Sequence, residues 1–254
     1  MGKVIAIVNQ KGGVGKSTTA AALISGLSAK GYKVLGIDLD AQSANLSFIF
    51  KAKQDKPTTL ELMTKAAKIE DAIQDTPQGK LVAANKGLVG IDALLTQTGK
   101  EYRLRESIEP VRDKYDYIII DTPPMLNVLS VNALTAADKV IIPLQADILS
   151  LQGVKDVVDT FTPIKQYCNP QLKLEGLLFT RFKPRTIFSR DILTVADKLA
   201  KELGTKVYQA KIRDATAQME VIAAGQSIFD YAANSNIAND YTAFINEFIK
   251  GVKV

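Results

Sequence analysis

The chain has 254 residues, 46% hydrophobic and 23% charged, with a formal net charge of +5; these proportions suit a globular protein and exclude a disordered one. It contains no histidine and one cysteine, Cys168, which excludes His-based acid/base chemistry, Cys/His zinc centres and a disulfide framework. No apolar run reaches the roughly eighteen residues of a membrane span, and Met1-Gly2-Lys3 leads into a strand without a signal peptide, so a cytoplasmic protein is expected. The positive balance suits a polyanionic partner.

Apolar strands alternate with helical patterns along the whole chain. The first strand, Val4–Val8, is a continuous apolar run, as in a buried parallel sheet. A glycine-rich loop follows, Asn9-Gln10-Lys11-Gly12-Gly13-Val14-Gly15-Lys16-Ser17-Thr18, and then a helix over Ser17–Lys30 with an apolar period at Ala21, Leu23, Ile24 and Leu27. A strand at Val34–Asp38 ends in Asp38-Leu39-Asp40. Gln54-Asp55-Lys56-Pro57 reads as a surface loop before a helix at Thr59–Lys65 and a strand at Leu81–Ala84. A helix over Gly99–Val111 precedes the strand Tyr117–Asp121, which Pro123-Pro124 ends abruptly. Next come a helix at Leu129–Ala137, a strand at Lys139–Leu144, a helix at Ser150–Tyr167 and a strand at Leu174–Thr180. The rest holds a helix at Ser189–Leu203, a short strand at Lys206–Tyr208, and helices at Gln218–Gly225 and Ile237–Lys250. This order predicts a single domain over residues 1–254, an α/β fold with one doubly wound, mostly parallel sheet and helices on both faces.

The loop carries the chemistry. Glycines let successive backbone N–H groups of Gly12, Gly13, Val14 and Gly15 crowd around an anion at a helix N-terminus. Lys16 reaches the β/γ-phosphates, the Ser17 hydroxyl is a ligand for Mg²⁺, and Thr18 completes the motif. A plain glycine turn explains neither the Lys16-Ser17 pair nor its strand–helix setting. In a parallel sheet the carboxyl ends of strands share one rim, so Asp40 and Asp121 are expected beside the loop. Asp121 fits a group holding the metal's water shell; Asp40 is placed to orient or deprotonate an attacking water, and also near the metal. Asp38 reads either as a helix cap or as a group behind these two. Position 10, Gln where the common phosphate-loop pattern has Gly, is followed by Lys11, a second cation. Lys11 is either a solvated lysine beside an anionic site or a residue with a separate task.

Lys-Gly-Gly-Val-Gly-Lys-Ser-Thr at 11–18 resembles the deviant Walker A motif of the ParA/MinD family of dimeric ATPases. Asp-Leu-Asp-Ala-Gln at 38–42 is similar to that family's Asp-x-Asp-Pro-Gln segment. The stretch from Gly99 to Pro124, and Ile142-Pro143-Leu144-Gln145-Ala146-Asp147 running on to Leu151-Gln152-Gly153, extend the likeness to essentially the whole chain. It resembles the short ParA/Soj form without an N-terminal helix-turn-helix domain. Ala41 in place of Pro and Ser43-Ala44-Asn45 in place of Gly-Asn-Ala depart from the pattern, and Gly225–Phe229 looks more like plasmid members. The resemblance implies ATP and Mg²⁺ as cofactors, and a weak ATPase activity stimulated by a ParB-like centromere-binding partner. It implies a homodimer in the ATP state, with Lys11 reaching the partner's nucleotide. It also implies non-specific binding to nucleoid DNA through C-terminal basic residues, here Lys183, Arg185, Arg190, Lys211 and Arg213. Each of these is otherwise an ordinary solvated cation. A MinD-like membrane-positioning ATPase is the alternative. It needs a basic amphipathic last helix, whereas Ala243–Val254 reads as a core-packing helix, so no membrane partner is expected.

Overall fold

A computed structural model describes residues 1–40, 46–183 and 187–252. Seven strands form one sheet: β1 (Lys3–Ile7), β2 (Val34–Asp38), β3 (Gln74–Thr76), β4 (Gly79–Val82), β5 (Tyr117–Asp121), β6 (Lys139–Leu144) and β7 (Lys173–Phe179), in the order β3-β4-β2-β5-β1-β6-β7. Every pairing is parallel except β3 with β4. In β1, Val4 and Ala6 face one apolar cluster while Ile5 and Ile7 face another; Ile118 and Ile120 alternate with Ile119 in β5 likewise. A strand apolar on both faces must be covered on both, and the helices do this.

On one side lie α1 (Lys16–Ala29), α2 (Leu46–Ile49), α10 (Ala217–Ala224), α11 (Ile228–Tyr231) and α12 (Asn236–Val252). On the other lie α3 (Thr59–Met63), α4 (Ile69–Ala72), α5 (Ile91–Leu94), α6 (Arg103–Ile108), α7 (Val128–Ala136), α8 (Ile148–Tyr167) and α9 (Ile187–Glu202). The last helix is a core element, as its pattern predicts: Phe244, Ile245 and Phe248 are fully buried. Among the described residues no helix is long and apolar enough to cross a membrane.

Two expectations are corrected, and one element is new. The helix expected over Gly99–Val111 is broken. Gly99 takes a left-handed φ of 82°, a 3₁₀ turn covers Lys100–Tyr102, α6 follows, and a second 3₁₀ stretch runs over Glu109–Lys114. Pro110 lacks the N–H that would continue an α-helix. The strand expected at Lys206–Tyr208 is only a parallel bridge, Leu177 to Val207. The hairpin of β3 and β4 was not expected, because Gln74-Asp75-Thr76 carries no apolar alternation.

Candidate functional site

The interior strand β1 has β5 on one side and β6 on the other, so its carboxyl end faces the crevice where open α/β sheets bind ligands. The chain leaves β1 through the glycine loop. Gly13 (φ 73°) and Gly15 (φ 85°) adopt left-handed backbone that a side chain disfavours, and α1 starts at Lys16 with no side-chain cap. The uncapped N–H groups at that terminus form an anion site. The loop is held from outside: Gln145 Nε2 donates to the Gly13 carbonyl at 2.9 Å and Thr180 Oγ1 to the Val14 carbonyl at 2.8 Å. Gly12 is exposed, while Ser17 and Thr18 are half-buried at the start of α1.

Lys16 is buried, and its amine donates to the Lys11 carbonyl at 3.4 Å. Desolvation holds its pKa below the usual lysine value, although the nearby Asp121 and Asp40 carboxylates oppose this. Asp38 and Asp121 are cross-strand partners on β2 and β5, and Ile7 of β1 pairs with Asp121. Both Asp121 carboxylate oxygens are buried without a hydrogen-bond partner among the described residues. Burial, then the Asp38 charge, pushes its pKa well above the carboxylate range, against the neighbouring Ser17 hydroxyl and Lys16. An orphaned carboxylate costs free energy unless something cationic covers it, and hard oxygen donors of this kind suit Mg²⁺.

Asp38, expected as a cap or a group behind the site, is wholly buried and accepts from Asp40 N at 2.9 Å, Ser47 N at 2.7 Å and Ser47 Oγ at 2.6 Å. Burial raises its pKa to about 7, the hydrogen bonds opposing it and the Asp40 charge adding to it. Asp40 is itself buried on the same rim. Lys16, Asp40 and Asp121 are therefore brought together, with Ser17 beside them.

Lys11 stands apart from this group. Its amine is bonded to both carboxylate oxygens of Asp147, at 2.8 and 2.9 Å, and to Ser150 Oγ at 3.2 Å. Asp147 is the N-cap of α8. Burial would raise its pKa, but Lys11 and the Ser150 hydrogen bonds hold it below the ordinary range.

Beyond the loop lies a cavity of about 380 Å³ whose walls include Thr18, Thr180, Ile212, Ala215, Met219 and Tyr241. Its far walls come from segments more than 160 residues away in sequence and carry no motif, so the sequence reading missed them. The expected basic residues fall in two segments that meet at a bridge between Phe182 and Arg213. Lys183 and Arg190 are exposed, and Arg185 lies outside the described residues, as do Ala41 and Ser43-Ala44-Asn45. Arg213 is exposed but forks onto Asp240, Nε at 2.7 Å and Nη2 at 2.9 Å. Lys211 is half-buried, and its amine donates to the Tyr208 and Gln209 carbonyls. The one signal for that inward turn is its place beside the buried Tyr208 and Ile212.

Comparison with known proteins places this geometry. A family model described as an AAA domain matches residues 2–174. The chain is 35% identical over 253 residues to the chromosome partitioning protein ParA of Caulobacter vibrioides, covering 97% of this chain and 94% of that protein. A cobyrinic acid a,c-diamide synthase from Mycobacterium smegmatis, solved with bound ATP analog and magnesium, superposes at a TM-score of 0.85 with 33% identity, over 100% of this chain and 96% of the other. A plasmid partition protein from Borrelia burgdorferi superposes at 0.76 with 26% identity, over 99% and 100% of the two chains.

Proposed function

The chain belongs to the ParA/Soj family of partition ATPases, and from that premise we propose that it binds ATP with Mg²⁺, dimerises, and binds DNA without sequence preference. A ParB-like centromere-binding partner then stimulates hydrolysis and releases the DNA, so that the cycle moves or positions DNA cargo in the cytoplasm at the nucleoid. The observation that carries the ATPase part is the buried trio of Lys16, Asp40 and the unpartnered Asp121 at the N-terminus of α1.

Each group has a role in that reading. The loop amides from Gly12 to Thr18 and the Lys16 ammonium hold the phosphates. Ser17, Asp121 and Asp40 hold Mg²⁺, which when bound screens the phosphate charge. Asp40 orients the attacking water. Lys11, whose amine is not in its own phosphate cradle, reaches the partner subunit's nucleotide. The cavity lined by Thr180, Ile212 and Met219 is wide enough for the base. Arg190, Arg213, Arg185 and Lys183 supply phosphate contacts to DNA. Lys211 contributes only if its amine leaves the two carbonyls.

Calorimetry with Mg²⁺-ATP beside a phosphate-release assay tests the reading. Lys16→Ala is expected to abolish nucleotide binding. Asp40→Ala is expected to bind ATP, stay dimeric and fail to hydrolyse it. Unchanged affinity in the first variant, or wild-type turnover in the second, would overturn the assignment.

A further inference from the structure

Asn9 is completely buried at the end of β1 and uses both ends of its amide. Nδ2 donates to the Pro143 carbonyl of β6 at 2.7 Å, and Oδ1 accepts the Lys11 backbone N–H at 2.8 Å. The turn at residues 9–11 is therefore closed by a side chain that is itself fixed to the neighbouring strand. Gln10, half-buried, donates through Nε2 to the Asp156 carbonyl at 3.0 Å and to Thr160 Oγ1 at 3.3 Å, both on α8.

Helix α8 is shaped to receive this turn. Residues 147, 150 and 153 are three apart and share a face. The first two hold the Lys11 amine; the third is Gly153. A Cβ at Gly153 would stand 3.0 Å from Asn9 Oδ1 and 3.8 Å from Lys11 Cβ. The missing side chain thus leaves the space in which the Asn9 amide sits. Gly153 carries an ordinary helical φ, so close approach and not backbone freedom is its reason for being glycine.

We propose that Asn9, seated in the gap left by Gly153, is a positioning residue for Lys11: it fixes the backbone at Lys11 so that the ammonium leaves its own phosphate cradle. This rests on the reading of Lys11 as the group acting on the partner subunit's nucleotide. Neither Lys16 nor the N-terminus of α1 bonds to the Asn9 amide itself; the link is the long 3.4 Å contact of the Lys16 amine with the Lys11 carbonyl, so nucleotide binding and Lys11 delivery are expected to separate in this loop.

The test is a double-mutant cycle on the full chain with Mg²⁺-ATP, reading nucleotide affinity by calorimetry, dimer formation by light scattering, and turnover. Asn9→Ala is expected to keep nucleotide affinity close to wild type while weakening ATP-dependent dimerisation and turnover by about tenfold, the scale of losing a buried hydrogen-bonded amide. In a Lys11→Ala background the same substitution is expected to cost nothing further, because a residue acting only through Lys11 has nothing left to act on. Asn9→Asp, which keeps the acceptor for the Lys11 N–H, is expected to recover part of the loss. Additive losses in the cycle would show Asn9 to be merely structural and overturn the inference, as would wild-type dimerisation of Asn9→Ala beside a defective Lys11→Ala. A Lys11→Ala chain that dimerises and turns over like wild type would instead overturn the reading of Lys11 itself, and the inference with it. If Asn9→Ala does not fold, Gly153→Ala enters the same cycle with the same expected outcomes.

Discussion

Lys11 and Lys16 stand five residues apart in one loop and meet different partners. Lys16 is desolvated among carboxylates, whereas Lys11 is held on the N-cap of α8. The Asp147–Lys11 pair is about one-third exposed on both sides, so it is a weak restraint. Asp147→Asn keeps an N-cap residue of equal quality but removes the charge that holds Lys11. On the reading that Lys11 crosses to a partner, this variant is expected to dimerise at lower protein concentration with ATP; unchanged sedimentation would show that the pair does not compete with crossing. Asp38 gives a pH-dependent counterpart. Its folded pKa of about 7 lies above the unfolded carboxylate value of about 4, so the folded state binds the extra proton between them. Stability of the nucleotide-free chain is therefore expected to fall as pH rises from about 4 to about 7 and to level off above that. Thermal melts across that range should show the slope in wild type and a shallower one in Asp38→Asn, and equal slopes would exclude Asp38 as their source. The sequence placed Lys16, Asp40 and Asp121 together because motif and strand end agree, and the structure brings them to one rim. It left Asp38 open because its Ser47 partner lies nine residues on, with no periodic signal linking them.

At the scale of elements, apolar runs made the six parallel strands legible, since a strand buried on both faces needs no turn motif to announce it. The antiparallel β3 was hidden because an edge strand has one neighbour and tolerates Gln74-Asp75-Thr76. The short bridge at Val207 was over-read as a strand for the converse reason. Buried Val207 and Tyr208 serve a different purpose, packing against β7 and α12. Beneath them lies an ion pair that no pattern foretells. Glu175 of β7 meets Lys139 of β6 at 2.5 Å and Lys206 at 3.6 Å, and the Lys139 amine also donates to the Gly251 carbonyl of α12 at 3.4 Å. Both members of the short pair are largely buried, so removing one leaves the other desolvated and alone. Glu175→Gln is expected to lower unfolding free energy by about 3 kcal/mol, with Glu175→Leu/Lys139→Met recovering much of it. Urea unfolding measures both. A loss below about 1 kcal/mol in the single variant would show the cluster to be effectively solvated.

Across the whole molecule, the +5 charge gives a weak bias toward polyanions, and among the described residues around the Phe182–Arg213 bridge several cations are tied to acidic groups or carbonyls. Arg213 is tied to Asp240, Arg181 pairs with Asp214 at 3.1 Å, and Lys211 turns inward. On the reading that the ATP-bound dimer binds DNA, a second copy would add phosphate contacts to those one copy presents. Each phosphate contact contributes about one unit to the slope of log affinity against log salt. A dimer joining two copies of the same basic face is therefore expected to show about twice the slope of a monomer. DNA affinity measured at several salt concentrations, with ATP for wild type and for Lys16→Ala as the monomer, reads this directly. Arg185→Glu with Arg190→Glu is expected to remove the ATP-dependent binding while leaving the dimer intact, because neither residue belongs to the loop or to the Lys11 turn. Arg213→Glu is a poorer probe, since it sets a carboxylate against Asp240 and would disturb the start of α12 as well as the surface. Equal slopes with and without a dimer would place DNA recognition within one subunit. Retained binding in the double variant would move the DNA surface away from the segment that runs from β7 into the first turn of α9.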